Sequence, residues 1–165
     1  MFGIIKNIPL GPLQRGKNYI MSEISTFESR TGKVNCTSEE LFHFLSDIRN
    51  FERFIPGDKF SDIKMDKDSC SFSVSMMGKV NIRIGERKAY SEVVFSGNAM
   101  YVNDFSLAVK FNDAGFSHSE VNLSVFAHLN PFLKMLAADP ISKFLETIIK
   151  EMEKFNGWRD IRRDS

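Results

Sequence analysis

The sequence contains few cysteines: Cys36 and Cys70 are the two among its 165 residues. Two cysteines are too few for the disulfide framework of a small secreted scaffold. Both lie in segments predicted to be strands, so we expect buried free thiols. We therefore expect a reducing, cytoplasmic setting.

The chain also lacks long apolar runs, and no stretch reaches about 18 consecutive apolar residues. The apolar run at the N-terminus is short because Lys6, Pro9 and Gly11 interrupt it, and no cleavage site of small residues follows. We therefore expect neither a signal peptide nor integral insertion into a membrane.

No charge of one sign dominates, since 22 basic residues stand against 21 acidic ones. Proteins that bind nucleic acids through the phosphates need a basic surface field. A nearly neutral composition does not provide such a field. We therefore expect no nucleic-acid partner.

Motifs for metals, cofactors and nucleophiles are missing from the sequence as well. The three histidines, His43, His118 and His128, lie far apart, and no HxxxH or CxxC spacing occurs. There is no glycine-rich nucleotide loop and no nucleophile elbow around a serine. The sequence therefore predicts no metal site, no cofactor and no catalytic residue.

Phenylalanine is abundant instead, with 16 residues against one tryptophan and three tyrosines. A phenylalanine side chain brings a large apolar area without a polar atom. Such residues either fill a solid core or form the wall of an apolar pocket, and the sequence leaves both interpretations open.

Composition divides the chain into three parts. Residues 1–22 are a predicted loose leader without a sustained period, residues 23–156 are one folded domain, and residues 157–165 are a charged tail. A translation start at Met21 is one alternative for the leader. The other alternative is a short docking segment formed by Phe2, Ile4, Ile5 and Leu10.

The domain begins with a pattern typical of one strand and two short helices. Residues 26–34 are rich in Thr, Ser and Val, which predicts a strand. Thr37 precedes acidic residues and the apolar run 41–45, which is an N-cap signature. Residues 50–55 predict a second short helix, which Pro56 ends.

From residue 59 the apolar residues recur with period two. Cys70, Phe72, Val74 and Met76 alternate with mostly polar neighbours, as in a half-buried strand. The same alternation recurs in three later segments, and glycine-containing turns separate them. This pattern predicts about six strands in an antiparallel meander.

The last apolar segment predicts a long amphipathic helix. Asp139 and Pro140 match the preferences for N-cap and first helical position. Apolar residues then recur at spacings of three and four as far as Phe155. Alternatively, residues 132–136 belong to the same helix, bent at Pro140. Either form predicts an α+β domain whose curved antiparallel sheet wraps around this helix.

Three segments resemble the START, Bet v 1 and polyketide-cyclase (SRPBCC) superfamily. Residues 32–47 resemble its strand-to-helix entry, residues 50–56 its second helix, and residues 127–136 its last strand entering the long helix. The resemblance covers roughly residues 26–155. It implies the helix-grip fold, with six to seven strands wrapped around a C-terminal helix and two short helices after the first strand.

The resemblance also implies a cavity between sheet and helix that binds a hydrophobic small molecule or a lipid without a covalent bond. Apolar positions of the strands and of the long helix would line it. The predicted lining residues are Phe54, Phe72, Val74, Met76, Ile82, Ile84, Phe105, Leu107, Val125, Phe144, Leu145 and Ile148.

Polar residues inside such a cavity would handle protons in an enzyme or orient a ligand. Tyr90, Glu92 and His128 are the candidates. The strand at residues 90–96 has apolar residues on both faces, so the direction of Glu92 stays open. A cyclase or hydrolase in the same cavity is thus an alternative function. A protein-interaction, co-chaperone-like module with Phe51 and Phe54 at its surface is another.

Overall fold

The main feature of the computed structural model is a large antiparallel sheet. The model describes residues 23–54, 57–58, 60–75, 78–100 and 102–160. Successive side chains of a strand point to opposite faces of the sheet. Apolar and polar residues therefore alternate along the long strands, because one face of the sheet is buried and the other is not. The eight strands are β1 Glu23–Glu28, β2 Gly32–Val34, β3 Phe60–Met65, β4 Ser69–Val74, β5 Gly78–Lys88, β6 Glu92–Ala99, β7 Val102–Asp113 and β8 Ser119–Leu129.

The strands lie in the order β1–β8–β7–β6–β5–β4–β3, and β2 pairs with β8 beyond the end of β1. The first predicted strand is therefore two strands, separated at residues 29–31. There the Arg30 side chain forms ion pairs with Glu153 (Nη2–Oε1, 2.8 Å) and Glu146 (Nε–Oε2, 3.2 Å). These ion pairs connect the break to the C-terminal helix.

Two short helices follow β2, as predicted. Helix α1, Ser38–Leu45, begins with a capping box in which Thr37 Oγ1 accepts from the Glu40 N–H and Glu40 Oε1 accepts from the Thr37 N–H. A 3-10 helix, Ile48–Phe54, comes next. The capping box was visible in the sequence as a hydroxyl residue three positions before an acid.

The long helix, α2, runs from Pro131 to Lys154. Asn130 is its N-cap, since Asn130 Oδ1 accepts from the Leu133 N–H at 2.8 Å. The predicted start at Asp139 is therefore wrong, and the alternative of one helix through Pro140 is confirmed. The Asp139 carboxylate instead pairs with Lys143 at 2.9 Å on the exposed face. At 1.5 Å per residue the helix is about 36 Å long.

The core lies between α2 and one face of the sheet. Helix residues at spacings of three and four enter it, and each such side chain contributes about 1.5–3 kcal/mol by leaving water. Gly32 lets β2 approach the helix closely, since a Cβ there would lie 3.0 Å from Ile149 Cγ2. The buried helix residues are Ile141, Leu145, Ile148, Ile149 and Met152.

The chain after α2 returns to the core through Trp158, which is 1% exposed. Its ring centroid lies 4.8 Å from that of Phe44 and 4.9 Å from that of Phe155, both in edge-to-face geometry. Phe54 lies 5.5 Å away. These four rings form an aromatic cluster under α1, and they attach the start of the predicted tail, residues 157–165, to the domain.

The stability of the fold is expected to depend on pH through Asp47. Its side chain is 7% exposed and accepts three hydrogen bonds from Arg49. These bonds hold the Asp47 pKa below its usual value. A lowered pKa stabilises the fold above the unfolded-state pKa of about 3.9, and this stability is lost as the pH falls through the folded-state pKa. Asp47→Asn is therefore expected to cost about 1–3 kcal/mol at neutral pH and to flatten the acid limb of the stability curve.

Urea unfolding at a series of pH values measures both effects. Asp68→Asn is the matched control, because the side chain of Asp68 is 72% exposed. Parallel stability curves for wild type and Asp47→Asn below pH 4 would contradict the assignment.

Candidate functional site

The candidate site is the space between α2 and the inner face of the sheet. The register of the strands decides which residues share that face, because opposite residues point to the same side. Phe95 lies opposite Leu107, and Leu107 lies opposite Val125, so these three form one inner row across β6, β7 and β8.

A first cavity of about 40 Å³ lies under the middle of α2, at Ile141 and Phe144. Its wall consists of apolar side chains from five strands and from α2. The lining residues are Phe72, Val74, Val80, Ile82, Ala99, Val102, Phe105, Leu107, Val125, Ala127, Ile141 and Phe144.

A second cavity of about 30 Å³ lies between the sheet, the 3-10 helix and α2. The lining residues are Ile48, Phe51, Cys70, Phe72, Ile82, Phe95, Leu107, Phe144 and Ile148.

The two cavities share four wall residues: Phe72, Ile82 and Leu107 from the sheet, and Phe144 from α2. Pockets that hold drug-sized ligands measure about 300–1,000 Å³. An apolar cavity that binds benzene measures about 150 Å³. In this conformation the interior is therefore nearly filled, and the aromatic side chains act mainly as packing.

Eight of the twelve predicted lining residues lie on these cavities. They come from β4, β5, β7, β8 and α2. They are Phe72, Val74, Ile82, Phe105, Leu107, Val125, Phe144 and Ile148.

Four of the predicted lining residues are not placed on the cavities. Phe54 belongs to the aromatic cluster around Trp158, and Leu145 is buried elsewhere in the core. Ile84 is half-buried at the edge of the core. Met76 lies outside the described residues.

Sequence reasoning also missed several wall residues. Val80 and Ala127 carry the same alternation signal as Ile82 and Val125, so the pattern could have included them. Phe51 and Ile48 come from the 3-10 helix, where no period indicates which side faces the sheet. Their position depends on how that helix packs.

The structure places none of the three polar candidates in the interior. Glu92 lies on the outer face, where its carboxylate is 3.5 Å from Lys88 Nζ, and Val93 and Phe95 are the inward residues of β6. His128 also lies on the outer face, opposite Ile24. Tyr90 is 46% exposed in the β5–β6 turn, with a positive φ of 65° and its ring against Phe42.

Proton chemistry has little support among the wall residues of the two cavities. Cys70 is the one titratable side chain in the described walls, and burial raises its pKa to about 11. Burial likewise raises the pKa of Cys36 to about 12. Both are buried free thiols, as predicted, and a thiol with such a pKa stays protonated at neutral pH.

Metal ligands do not cluster in the part of the chain that the structure describes, where no group of three or more His, Cys, Asp or Glu side chains is arranged to hold an ion. In the same part, none of the helices has the length and apolar character needed to cross a bilayer.

Large exposed apolar side chains occur at the start of α2, where Phe132, Met135 and Leu136 are 64%, 72% and 57% exposed. The surface predicted for a partner protein, around Phe51 and Phe54, is half-buried or buried instead. Their rings pack edge to face at 5.9 Å inside the domain. The structure therefore does not expose the surface that the interaction-module hypothesis predicted.

Comparison with known proteins gives matches in structure but not in sequence. No family model matches the chain, and no curated protein matches it. Norcoclaurine synthase from Thalictrum flavum, in complex with dopamine and hydroxybenzaldehyde, superimposes with a TM-score of 0.62 at 10% identity, over 86% of this chain and 91% of that one.

Two bacterial proteins are similar at the same level. Mll3558 from Rhizobium loti gives a TM-score of 0.57 at 14% identity, over 79% of this chain and 98% of that one. XoxI from Bacillus cereus gives 0.58 at 11% identity, over 79% and 93%. Identities this low establish the fold alone, and that fold is the predicted helix-grip fold.

Proposed function

We propose that the protein binds a small hydrophobic molecule between the inner face of its sheet and α2, without a covalent bond. The observation that carries this proposal is the pair of apolar cavities that meet at Phe72 and Phe144. An apolar cavity without polar partners for water is expected to stay dry, so a ligand there displaces little water.

Phe144 is the residue whose movement would admit a ligand. It is half-buried, whereas Phe72, Ile82 and Leu107 are buried in the sheet. Its ring lies on both cavities, with its centroid 6.2 Å from that of Phe60. A rotation of the Phe144 side chain would join the cavities and add the volume of its own ring.

The size of this space favours a small ligand over a long lipid chain. Apolar burial contributes about 25 cal/mol per Å² of surface removed from water, so a single aromatic ring would bind weakly to moderately. The norcoclaurine synthase complex, which holds dopamine and hydroxybenzaldehyde, agrees with aromatic molecules of this size. A lipid would require α2 to move away from the sheet.

Binding is favoured over catalysis because the described walls offer Cys70 as their one titratable group. General acid–base chemistry needs a group whose pKa lies near the working pH. We keep the cytoplasmic setting as part of the proposal, since two buried thiols suit a reducing compartment.

The variant Phe144→Ala tests the proposal. Removing this ring joins the cavities, so benzene is expected to bind the variant at least tenfold more tightly than the wild type. Titration with benzene, followed by amide chemical shifts in two-dimensional NMR, measures both affinities. The shifts should concentrate on residues around Phe72, Ile82 and Leu107.

Phe155→Ala is the matched control, because Phe155 is also half-buried but packs in the aromatic cluster around Trp158. It should bind benzene no more tightly than the wild type at the two cavities. Equal benzene affinity in all three proteins, with Phe144→Ala folded, would overturn the proposal.

A further inference from the structure

A wide concavity lies on the outer face of the sheet, opposite the core. It is an open trough of about 800 Å³. Residues of β1 and of all the strands from β3 to β8 line it, and Asp66 of the β3–β4 turn lies at one end. The register shifts in the pairing of β5 with β6 and in that of β6 with β7, and β-bulges of this kind bend strands.

Strand register arranges the outer side chains of the trough in two cross-strand rows. In the first row, each residue is the direct partner of the next: Ser69, Arg83, Ser96, Ser106 and Phe126. The second row is displaced from the first by two residues along each strand. It contains Ser71, Asn81, Asn98, Asp104, His128 and Ile24.

Most of these side chains are neutral groups that both donate and accept hydrogen bonds. Asn81 Nδ2 donates to Asn98 Oδ1 at 2.9 Å, which leaves further amide atoms directed to solvent. The hydroxyls of Ser71, Ser96 and Ser106 have no hydrogen-bond partner among the described residues. The trough therefore presents a set of unoccupied donors and acceptors.

The charges in the trough balance, which argues against an ionic ligand. Arg83 and Lys64 stand against Asp66 and Asp104. Asp66 already accepts hydrogen bonds from the N–H groups of residues 68 and 69 and from a serine hydroxyl, and these bonds lower its pKa. A single guanidinium in a neutral trough gives little net attraction for phosphate or nucleic acid.

The far end of the trough is apolar. Phe126 is half-buried on the outer face, between Ser106 on β7 and Thr26 on β1. Ile24, one row further along β1, is also half-buried. A half-exposed aromatic ring on a strand provides a flat surface for another apolar face.

We propose that this trough binds a neutral oligosaccharide. Sugar hydroxyls donate and accept like the Ser and Asn side chains, and the C–H face of a pyranose ring is apolar enough to lie on Phe126. The second row crosses six strands, which at a spacing of about 4.8 Å span about 24 Å, and this length fits a chain of several sugar units. The trough lies on the opposite face of the sheet from the apolar cavities, although Ile82, Phe105 and Ala127 border both, and the proposal does not depend on the function proposed for the cavities.

The experiment is an NMR titration of the full chain with three named probes, cellohexaose, maltohexaose and chitohexaose. At least one probe should give saturable shifts at the amides of Ser96, Ser106 and Phe126. The variants Phe126→Leu and Asn98→Ala should each weaken that binding at least fivefold, since one removes the aromatic face and the other removes an amide.

Asn122→Ala is the matched control. Asn122 is exposed on the same face of the sheet but outside the trough, and its amide also makes one hydrogen bond, to Thr31 Oγ1 at 3.0 Å. It should bind the sugar like the wild type. Asn98 is exposed as well, so Asn98→Ala keeps the test valid even if Phe126→Leu perturbs folding.

Three outcomes would overturn the proposal. The first is the absence of saturable shifts with all three sugars. The second is sugar binding that both Phe126→Leu and Asn98→Ala leave unchanged. The third is saturable binding of inorganic phosphate that Arg83→Gln abolishes while the sugars give no shift, which would make the trough an anion site.

Discussion

Trp158→Ala is expected to lower the free energy of unfolding by about 3–5 kcal/mol, the range for truncating a buried large aromatic residue. Trp158 is 1% exposed and contacts Phe44, Phe54 and Phe155 in one aromatic cluster. The truncation leaves a cavity under α1 and detaches the segment after α2. Chemical denaturation followed by far-UV circular dichroism measures the loss.

Trp158→Phe is the control for this prediction. The indole Nε1 is buried and has no hydrogen-bond partner in the described part of the chain. Phenylalanine removes that costly N–H and keeps most of the aromatic area, so its cost should stay below about 1.5 kcal/mol. An unchanged midpoint for Trp158→Ala would mean that the segment after α2 is not docked in solution.

The position of Trp158 also shows where composition misleads. The end of the chain is rich in charge, and a charged run after a helix is usually solvated. One large apolar residue is enough to fix such a segment, because its burial contributes more than the exposed charges cost. Composition averages over this single residue and therefore does not reveal it.

The strand pattern was predictable wherever one face was clearly apolar. Cys70 and Phe72 alternate with serines, and their inward direction followed directly. For β6 the direction stayed open, because Val93 and Val94 lie on opposite faces and both are apolar. In the structure Val93 points inward and is paired with Val109 on β7. This pairing between strands fixes the register, and the periodicity of one strand carries no information about it.

The start of α2 shows a similar limit. Asp139–Pro140 and Asn130–Pro131 both match the local rule for a helix N-terminus. Pro140 inside the helix removes one hydrogen bond, a cost of about 3 kcal/mol. Leu133 and Ala137 offset it by packing against the buried residues Val102 and Leu129. Tertiary packing therefore favours the start at Asn130–Pro131 over the start at Asp139–Pro140 that the sequence pattern predicted.

The interior itself was the least predictable feature. Alternation identified which residues face α2, but filling a core and walling a pocket use the same residues. The difference depends on rotamers and on volumes as small as one methylene group. Here two cavities of about 40 and 30 Å³ remain, a result that no residue pattern specifies.

Phe72→Ala links this packing to ligand binding. Phe72 is 3% exposed, its ring packs edge to face on Phe60 at 5.3 Å, and it lies on both cavities. Its truncation is expected to cost about 3–5 kcal/mol. Because the new void joins both existing cavities, benzene should restore about 1.4 kcal/mol at ten times its dissociation constant. Thermal unfolding with and without benzene measures both quantities.

Phe54→Ala separates this effect from a general response to cavities. Phe54 is as deeply buried as Phe72, at 1% exposure, but lies on neither cavity. Its loss should cost a similar amount, and benzene should restore less of it because the void is smaller. Equal restoration in both variants would mean that benzene fills only the hole made by each mutation. The native cavities would then contribute nothing to binding, and the interior would be only a packed core.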